Sequence, residues 1–233
     1  MMAEIEEKEK RKHNTPIFAH RLDAGRQLGE ELRLRGYGDK PAVVIAIPRG
    51  GVPVGHAVSQ IIDARLEIII PRKLPTPGNP EVGFGAITSD GTMVLNMPQI
   101  EEQQLGVDDI KRVAMETLGE VRRQMRTFCG HCFSLNLTGQ TIILVDDGLA
   151  SGFTMLAAVQ AIRRYRPARL IVAVPASTFT SIDRLKSQVD ELIYLSEWDD
   201  LSFTVADCYQ EFDTLTDDEV RSFLSDTQIQ EPQ

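Results

Sequence analysis

Two adjacent carboxylates and a run of small residues stand together in one segment of the chain. Residues 141–155 read TIILVDDGLASGFTM, where an apolar, largely β-branched run predicts a buried strand and an apolar-periodic stretch predicts a helix. Asp146 and Asp147 follow the strand, and residues 148–154 form a short loop before the helix. The N–H groups of such a loop and the positive end of the helix dipole converge on one point, which suits a phosphate. Because two nearby acids suit a vicinal diol, a metal or both, the implied ligand is a sugar phosphate.

The order of residues in this segment distinguishes it from other phosphate-binding loops. It lacks the Gly-Lys-Ser/Thr of a Walker A loop and the Gly-x-Gly-x-x-Gly of a dinucleotide site. The acid pair alone would also fit a plain strand-to-helix crossover with solvent-facing carboxylates. The complete string from Val145 to Thr154 resembles the phosphoribosyl-pyrophosphate (PRPP) motif of type I phosphoribosyltransferases, with Ser151 where that family usually has Thr.

The resemblance implies a role for each residue of the motif. Asp146 and Asp147 would bind the ribose hydroxyls. Mg²⁺ would be held through PRPP, with these two acids as candidate contacts and no direct protein ligand set. Ala150 stands where the 6-oxopurine phosphoribosyltransferases carry an acid/base Asp, which disfavours hypoxanthine or guanine chemistry by that route. The 5-phosphate would be bound by the loop residues Gly148, Leu149, Ala150, Ser151, Gly152, Phe153 and Thr154.

Length and composition set the frame for this site. A chain of 233 residues with 42% apolar and 25% charged residues is typical of a globular protein built as one domain. The 25 basic and 34 acidic residues give a net charge of −9, which argues against a nucleic-acid or anionic-membrane surface. The charged start of the chain does not match a secretory signal, and no apolar run approaches a membrane span. Three cysteines cannot form a disulfide framework, so a cytoplasmic location is expected.

The hydrophobic pattern predicts alternating strands and helices. Such alternation favours an α/β fold with three α/β/α layers around a mostly parallel sheet. We expect a charged, disordered arm over residues 1–14 and a single domain over residues 15–233. Its core would span about residues 40–196, with a small hood formed by residues 15–38 and 197–233. The predicted strands are 42–47, 66–70, 142–145, 170–174 and 191–195, and residues 84–95 read as a hairpin.

Charged residues follow three of the predicted strands. Arg49 follows the first strand, Arg72 and Lys73 follow the second, and Asp146 and Asp147 follow the third. In open α/β sheets, ligands bind beyond the carboxyl ends of the strands. Two basic loops and one acidic loop are therefore predicted to share one edge of the sheet.

The first basic loop, residues 47–53, reads IPRGGVP. Its glycines allow the backbone to approach an anion closely, and Arg49 can donate a bidentate pair, although an ordinary turn has the same composition. In combination with the acid pair, it resembles the pyrophosphate loop of type I phosphoribosyltransferases, which often holds a strained cis peptide. Arg49, Gly50 and Gly51 would then bind pyrophosphate.

The second basic loop, residues 72–81, reads RKLPTPGNPE. Its Pro and Gly content predicts a mobile loop from residue 74 onward, and a solvated basic turn is the alternative. The segment resembles the flexible loop of the same family, in which Arg72 and Lys73 would neutralise pyrophosphate while closure of the loop excludes water. Glu81 is a candidate acid for the acceptor.

Taken in order, these segments resemble a stand-alone branch of the phosphoribosyltransferase superfamily, over roughly residues 18–224. The resemblance implies Mg²⁺-dependent transfer of a 5-phosphoribosyl group between PRPP and a nitrogenous acceptor, such as a nucleobase or related heterocycle, with release of pyrophosphate. Asp146, Asp147, Arg72 and Lys73 would be the catalytic residues. The expected protein is a homodimeric enzyme of nucleotide salvage whose partners are small molecules rather than nucleic acid or membrane.

Two other classes of function remain open at this stage. One is a non-catalytic PRPP or nucleotide sensor on the same fold. The other is a thiol–disulfide oxidoreductase that uses the tetrad Cys129-Gly130-His131-Cys132. A redox site of that type needs its first Cys after a strand and at a helix N-terminus, whereas this tetrad follows a predicted helix. A surface turn is the simpler interpretation, and a reversible disulfide or half of a zinc site shared across a dimer are the alternatives. Trp198 is expected in the hood.

Overall fold

The computed structural model of the chain describes residues 17–129, 137–198 and 203–226. In these residues, helices α1 to α7 span Arg21–Leu34, Gly51–Ile61, Met97–Glu102, Val107–Cys129, Phe153–Arg163, Phe179–Leu185 and Asp217–Asp226. Strands β1 to β8 span Ala42–Ala46, Arg65–Ile68, Arg72–Thr76, Asn79–Ile87, Met93–Leu95, Thr141–Val145, Arg169–Thr178 and Glu191–Trp198. A 3₁₀ helix covers Val205–Cys208.

Five of the strands form one parallel sheet in the order β2-β1-β6-β7-β8. Strands β1 and β6 lie next to each other in the middle of the sheet, and Ala46, the last residue of β1, pairs with Val145, the last residue of β6. Because neighbouring strands in a sheet are only about 4.8 Å apart, the loops that follow these two strands must lie side by side. The α/β class with a mostly parallel sheet, predicted from the alternating pattern, is confirmed.

Alternate residues of the sheet face two separate hydrophobic clusters. Val44 and Ala46 of β1 belong to the cluster covered by helices α1, α2, α4 and α7. Val43 and Ile45 of the same strand belong to the cluster covered by α5 and α6. Apolar runs without polar alternation, which mark these strands in the sequence, are the pattern expected when both faces of a sheet are covered.

The segment predicted to be a mobile loop, residues 74–81, instead forms most of a β-hairpin. Strands β3 and β4 are antiparallel and joined by the turn at Pro77 and Gly78, where Gly78 adopts a φ of +78°. Leu74 and Phe84 are fully buried and pack in one cluster with residues of α3 and α4. The prediction was wrong because proline and glycine suggested a loop, whereas the apolar residues between them give the hairpin a buried face. Strand β5 completes this three-stranded antiparallel sheet, and the predicted hairpin over residues 84–95 is confirmed.

The two ends of the described chain pack against each other. Phe18 pairs with Tyr209 in an isolated parallel bridge, and the backbone N–H of Ile17 donates to the carbonyl of Cys208 at 2.9 Å. Both rings lie in a cluster with Trp198, which is 8% exposed and packs against Phe203. These are the segments that the sequence predicted to form the hood.

Some of the sequence-based predictions fall outside the described residues. The arm over residues 1–14 is one of them. The Cys129-Gly130-His131-Cys132 tetrad begins at the last residue of α4 and continues into residues that are not described. No helix in the described part of the chain combines the length and the apolar character needed to cross a membrane.

Close packing of α1 on α2 generates a first prediction, because a Cβ on Gly25 would lie 2.7 Å from the carbonyl oxygen of Val54. We expect Gly25→Ala to force these helices apart and to lower the free energy of unfolding by about 1–3 kcal/mol. Gly119→Ala in α4 is the matched control, since its Cβ would meet only the flexible end of Arg123 at 3.6 Å. That change should stabilise the protein by up to about 1 kcal/mol through helix propensity. Urea unfolding measures both, and an unchanged Gly25→Ala protein would contradict the packing argument.

Candidate functional site

The acidic loop after β6 lies directly against the glycine loop after β1. A Cβ on Gly50 would lie 1.9 Å from Oδ2 of Asp147, and a Cβ on Gly51 would lie 2.9 Å from the Cα of Asp146. No side chain larger than hydrogen fits at either position while the acids keep their places. The structure therefore brings the predicted pyrophosphate loop and the predicted ribose-binding acids into van der Waals contact. The peptide bond between Pro48 and Arg49 is cis, as the family resemblance implied for this loop.

Asp146 is held in an environment that disfavours its charge. Burial and the neighbouring Asp147 carboxylate raise the pKa of Asp146 well above its usual value. One oxygen of Asp146 accepts a hydrogen bond from the backbone N–H of Asp147 at 2.9 Å, which opposes the increase in part. Two carboxylates this close repel each other when both are ionised, and a cation or hydroxyl donors would offset that repulsion.

Asp147 is instead neutralised by a residue that sequence reasoning missed. Nε of Arg21 lies 2.8 Å from Oδ2 of Asp147, and the two side chains are only 12% and 13% exposed. Arg21 also donates to the carbonyl of Asp213 at 2.8 Å, and its guanidinium stands 3.7 Å from the ring centroid of Phe212. The hydroxyl of Tyr209 donates to the Asp147 carbonyl at 2.6 Å. Residues near both ends of the described chain thus hold the acidic loop in place.

The two arginines predicted to bind pyrophosphate line one cleft of about 350 Å³. The guanidinium of Arg49 bonds Asp217, at the start of α7, at 3.0 Å. The guanidinium of Arg72 lies 3.2 Å from Glu120 of α4. Arg123 of α4 lines the same cleft. The co-location of Arg49 and Arg72 agrees with the prediction from strand ends, whereas their acidic partners come from helices whose sequences gave no signal of the pairing.

Lys73 and Glu81 are placed differently from the two arginines. Nζ of Lys73 donates to the backbone carbonyl of Glu81 across the hairpin at 2.8 Å. Lys73 lines a second cleft, of about 580 Å³, between the hairpin and α4. Arg72 lines both clefts, but Lys73 is not among the residues around Arg49. The Glu81 side chain is exposed on β4.

The loop from Gly148 to Thr154 is anchored to β7 on one side. The N–H of Leu149 donates to the carbonyl of Ala176 at 2.9 Å, and the carbonyl of Leu149 accepts from the N–H of Thr178 at 3.0 Å. Gly152 has a φ of +72° and precedes α5. Within residues 17–129, 137–198 and 203–226, no hydrogen-bond acceptor pairs with the backbone N–H groups of residues 150–154. Those groups stand at a helix N-terminus, which is the arrangement that binds phosphate.

The chain matches the family model for the phosphoribosyl transferase domain over residues 15–206. It therefore belongs to the phosphoribosyl transferase domain family, as the sequence motifs indicated. This identification covers the five-stranded sheet and both loops described above.

One curated protein and one solved structure illustrate the similarity of this chain to known proteins. The Mycobacterium tuberculosis protein named "Putative phosphoribosyl transferase Rv0571c" is 36% identical over 208 residues, which are 89% of this chain and 46% of that protein. The chain thus spans about half the length of the curated relatives it matches. A crystal structure of TT1426 from Thermus thermophilus is similar with a TM-score of 0.74 and 31% identity, covering 90% of this chain and 98% of that one.

The two adjacent acids should affect stability in opposite directions. Because the pKa of Asp146 is raised in the folded state, its ionisation opposes folding, and the penalty is present at neutral pH and disappears as the pH falls. We expect Asp146→Asn to raise the free energy of unfolding at pH 7 by roughly 0.5–2 kcal/mol. The gain should shrink as the pH falls toward about 4, and it should be absent below that pH, where the carboxyl is protonated in both states.

Asp147→Asn is the paired variant and should lower the free energy of unfolding at pH 7 by about 1–3 kcal/mol, since it leaves the part-buried Arg21 without its counter-ion. Urea unfolding of both variants between pH 4 and pH 8 gives the comparison. Equal effects of the two substitutions would contradict the assigned environments.

Proposed function

We propose that the protein is a phosphoribosyltransferase that transfers a 5-phosphoribosyl group between PRPP and a nitrogenous acceptor, with pyrophosphate as the other product. The single observation that carries the proposal is the contact of Asp147 with Gly50, beside a loop whose N–H groups are open to an anion. Family membership favours the same reaction class. Together, the loops offer a phosphate cradle, two acids for a diol and a basic cleft, which would meet the 5-phosphate, the ribose and the pyrophosphate of PRPP.

Each part of PRPP would meet a different part of the chain. The N–H groups of residues 150–154, together with the hydroxyls of Ser151 and Thr154, would bind the 5-phosphate. Asp146 and Asp147 would accept hydrogen bonds from the ribose hydroxyls, which requires Asp147 to share or release its bond with Arg21. Hydroxyl donors would also stabilise the charge of Asp146, whose pKa is raised in the free protein.

Departure of pyrophosphate is the step that the basic residues would assist. Arg49 directly precedes Gly50, which contacts Asp147, and it lines one cleft together with Arg72. Both arginines would stabilise the developing negative charge. Lys73 would join them only if the hairpin moved, because its ammonium group is bonded to the Glu81 carbonyl. The reaction centre would be oxocarbenium-like, so positioning and electrostatics suffice and no covalent nucleophile is required.

The acid pair also fits the Mg²⁺ ion that the family resemblance implies. Mg²⁺ is usually held by one or two carboxylates together with substrate phosphates, and Asp146 and Asp147 offer that set of donors. Among the described residues, no group of three or more His, Cys, Asp or Glu side chains is arranged to hold a metal alone, so the ion would arrive with PRPP. Bound there, it would neutralise charge on pyrophosphate.

The acceptor would be a nucleobase or related heterocycle bound under the hood. Ala150 offers no acid/base group, which keeps 6-oxopurine chemistry disfavoured. Glu81 remains the candidate acid from the hairpin, provided that the hairpin closes over the site. The protein is also proposed to be a cytoplasmic homodimer. Light scattering of the purified protein would test whether it is a dimer.

A PRPP sensor without turnover is a second candidate because of one observation. Three of the charged residues proposed to meet PRPP have protein counter-ions, with Arg21 on Asp147, Asp217 on Arg49 and Glu120 on Arg72. Such a site can open and close around a ligand without chemistry. Turnover of radiolabelled PRPP with a panel of bases separates the candidates, since saturable PRPP binding without pyrophosphate release would favour the sensor. Thermal-shift screening of the same bases with PRPP and Mg²⁺ would identify the acceptor.

The arginines of the basic cleft should affect the binding of PRPP more than the binding of a nucleoside 5-monophosphate. Arg49→Ala and Arg72→Ala should each weaken PRPP binding by about 1.5–3 kcal/mol, the loss of one charge-assisted pair. Binding of a nucleoside 5-monophosphate should weaken much less, because it shares the 5-phosphate but lacks pyrophosphate. Isothermal titration calorimetry of both ligands provides the measurement.

Matched variants of the partner acids should have the opposite effect. Asp217→Asn and Glu120→Gln free Arg49 and Arg72 from their ion pairs, so both should tighten PRPP binding. If PRPP and the monophosphate weakened equally in the arginine variants, the arginines would act on the shared phosphate or on folding, and the cleft would not be the pyrophosphate site.

A further inference from the structure

A third arginine, which neither the motif nor the basic loops include, contacts the phosphate loop. Arg184 lies on α6, and its Nη1 donates to the backbone carbonyl of Ser151. Its guanidinium carbon stands 4.1 Å from the ring centroid of Phe153, the first residue of α5. Both contacts are made to the loop whose N–H groups are open to an anion, so the cationic group of Arg184 is held at that loop.

Helix α6 is fixed to the loop by hydrogen bonds that do not involve Arg184. The hydroxyls of Thr178 and Ser181 both donate to the carbonyl of Ala150, at 2.8 and 2.7 Å. A Cβ on Gly152 would lie 3.2 Å from the Cβ of Ser181, which shows how closely the two segments pack. Arg184 lies three residues after Ser181 and therefore projects from the same side of the helix. These polar contacts thus set the position of the helix that carries the arginine.

Arg184 has no acidic partner in the described part of the chain, where no carboxylate oxygen lies within 4.0 Å of its guanidinium. This distinguishes it from Arg21, Arg49 and Arg72, each of which is paired with an acid. Partial burial lowers the pKa of Arg184, and no nearby acid opposes that effect. A part-buried cation without a counter-ion is costly unless an anion binds to it.

We propose that Arg184 binds the 5-phosphate of the sugar phosphate ligand and makes the site selective for a terminal phosphate dianion. This inference rests on the proposed function, because it takes the loop of residues 148–154 as the 5-phosphate site. A guanidinium has five N–H donors, so Arg184 can keep its bond to Ser151 and still donate to phosphate oxygens. The backbone N–H groups supply direction, and Arg184 supplies the full positive charge that they lack.

A purely structural role for Arg184 makes a different prediction. Stacking on Phe153 and bonding to Ser151 could serve only to hold the loop in shape. Loss of the arginine would then distort the loop and weaken ligand binding. The loss of affinity would not depend on the charge of the phosphate. The two roles are separable by charge-preserving variants and by pH.

Calorimetry with ribose 5-phosphate, PRPP and pyrophosphate gives the first test. Arg184→Ala should weaken ribose 5-phosphate and PRPP by the same factor, between about 10-fold and 100-fold, and leave pyrophosphate within about twofold. Arg184→Gln, which keeps a donor without charge, should resemble Ala, and Arg184→Lys should retain part of the affinity. Arg163→Ala is the control, since Arg163 lies at the other end of α5 and pairs with Asp190.

The pH dependence of ribose 5-phosphate binding gives the second test. The second pKa of a phosphate monoester is about 6, so the wild-type affinity should rise between pH 5 and pH 7.5 as the dianion forms. The rise should be smaller in Arg184→Gln and close to wild type in Arg184→Lys. A structural role would leave the pH profile unchanged in shape.

The outcomes separate this inference from the proposed function. If the wild-type protein bound neither ribose 5-phosphate nor PRPP, the proposed function would fail and the role of Arg184 with it. If the wild type bound both and the Ala and Gln variants bound them equally well, only the role of Arg184 would be overturned. Equal weakening of pyrophosphate would also overturn it, because that ligand does not use the 5-phosphate loop.

Discussion

Contact between the Asp147 carboxylate and the backbone of Gly50 is the constraint on which the rest of the site depends. It follows from the adjacency of β1 and β6, whose last residues are paired in register. Two loops that leave neighbouring strands at one level have no space for side chains between them, so one loop must be glycine if the other carries acids. The apolar runs before each loop place both at the edge of the sheet. The acidic loop therefore lies against the loop that carries Arg49.

The charges at this edge are balanced by elements outside the sheet. Arg21 neutralises Asp147, while acids of α4 and α7 neutralise Arg72 and Arg49. The Arg21–Asp147 pair is largely buried, so leaving either group unpaired would cost several kcal/mol. The pairs of Arg49 and Arg72 are about half exposed and contribute at most about 1 kcal/mol each. Ligand binding would then exchange one set of ion pairs for another and would not create charge pairs from solvated groups. Because these partners lie on α1, α7 and α4, the charge balance of the site depends on three helices outside the sheet.

The fold, the acid pair and the glycine loop could be predicted from local sequence. Buried strands, the acid pair and the glycine loop each occupy a few consecutive residues, and the family motif adds their roles. The hairpin of β3 and β4 was missed because its prolines suggested a loop, although its apolar residues pack on α4. Arg21 was missed for a different reason, since it is 126 positions from Asp147 and nothing in its local pattern sets it apart. Ion pairs between distant segments depend on packing that periodicity does not encode.

An aromatic surface lies beside the acid pair, and it would bear on how an acceptor is recognised in the proposed reaction. Phe212 and Tyr209 lie with ring centroids 5.3 Å apart, and the guanidinium of Arg21 stacks on Phe212 while bonding Asp147. A change of acceptor in this region would alter the residues that hold Asp147, whereas the loop of residues 148–154 is fixed to β7 and α6. In the proposed reaction, phosphate binding would therefore stay constant while the acceptor side varied. The acceptor side would be coupled to ribose binding through one ion pair, because any ligand that moved Arg21 would also change the charge that Asp147 presents to the ribose hydroxyls.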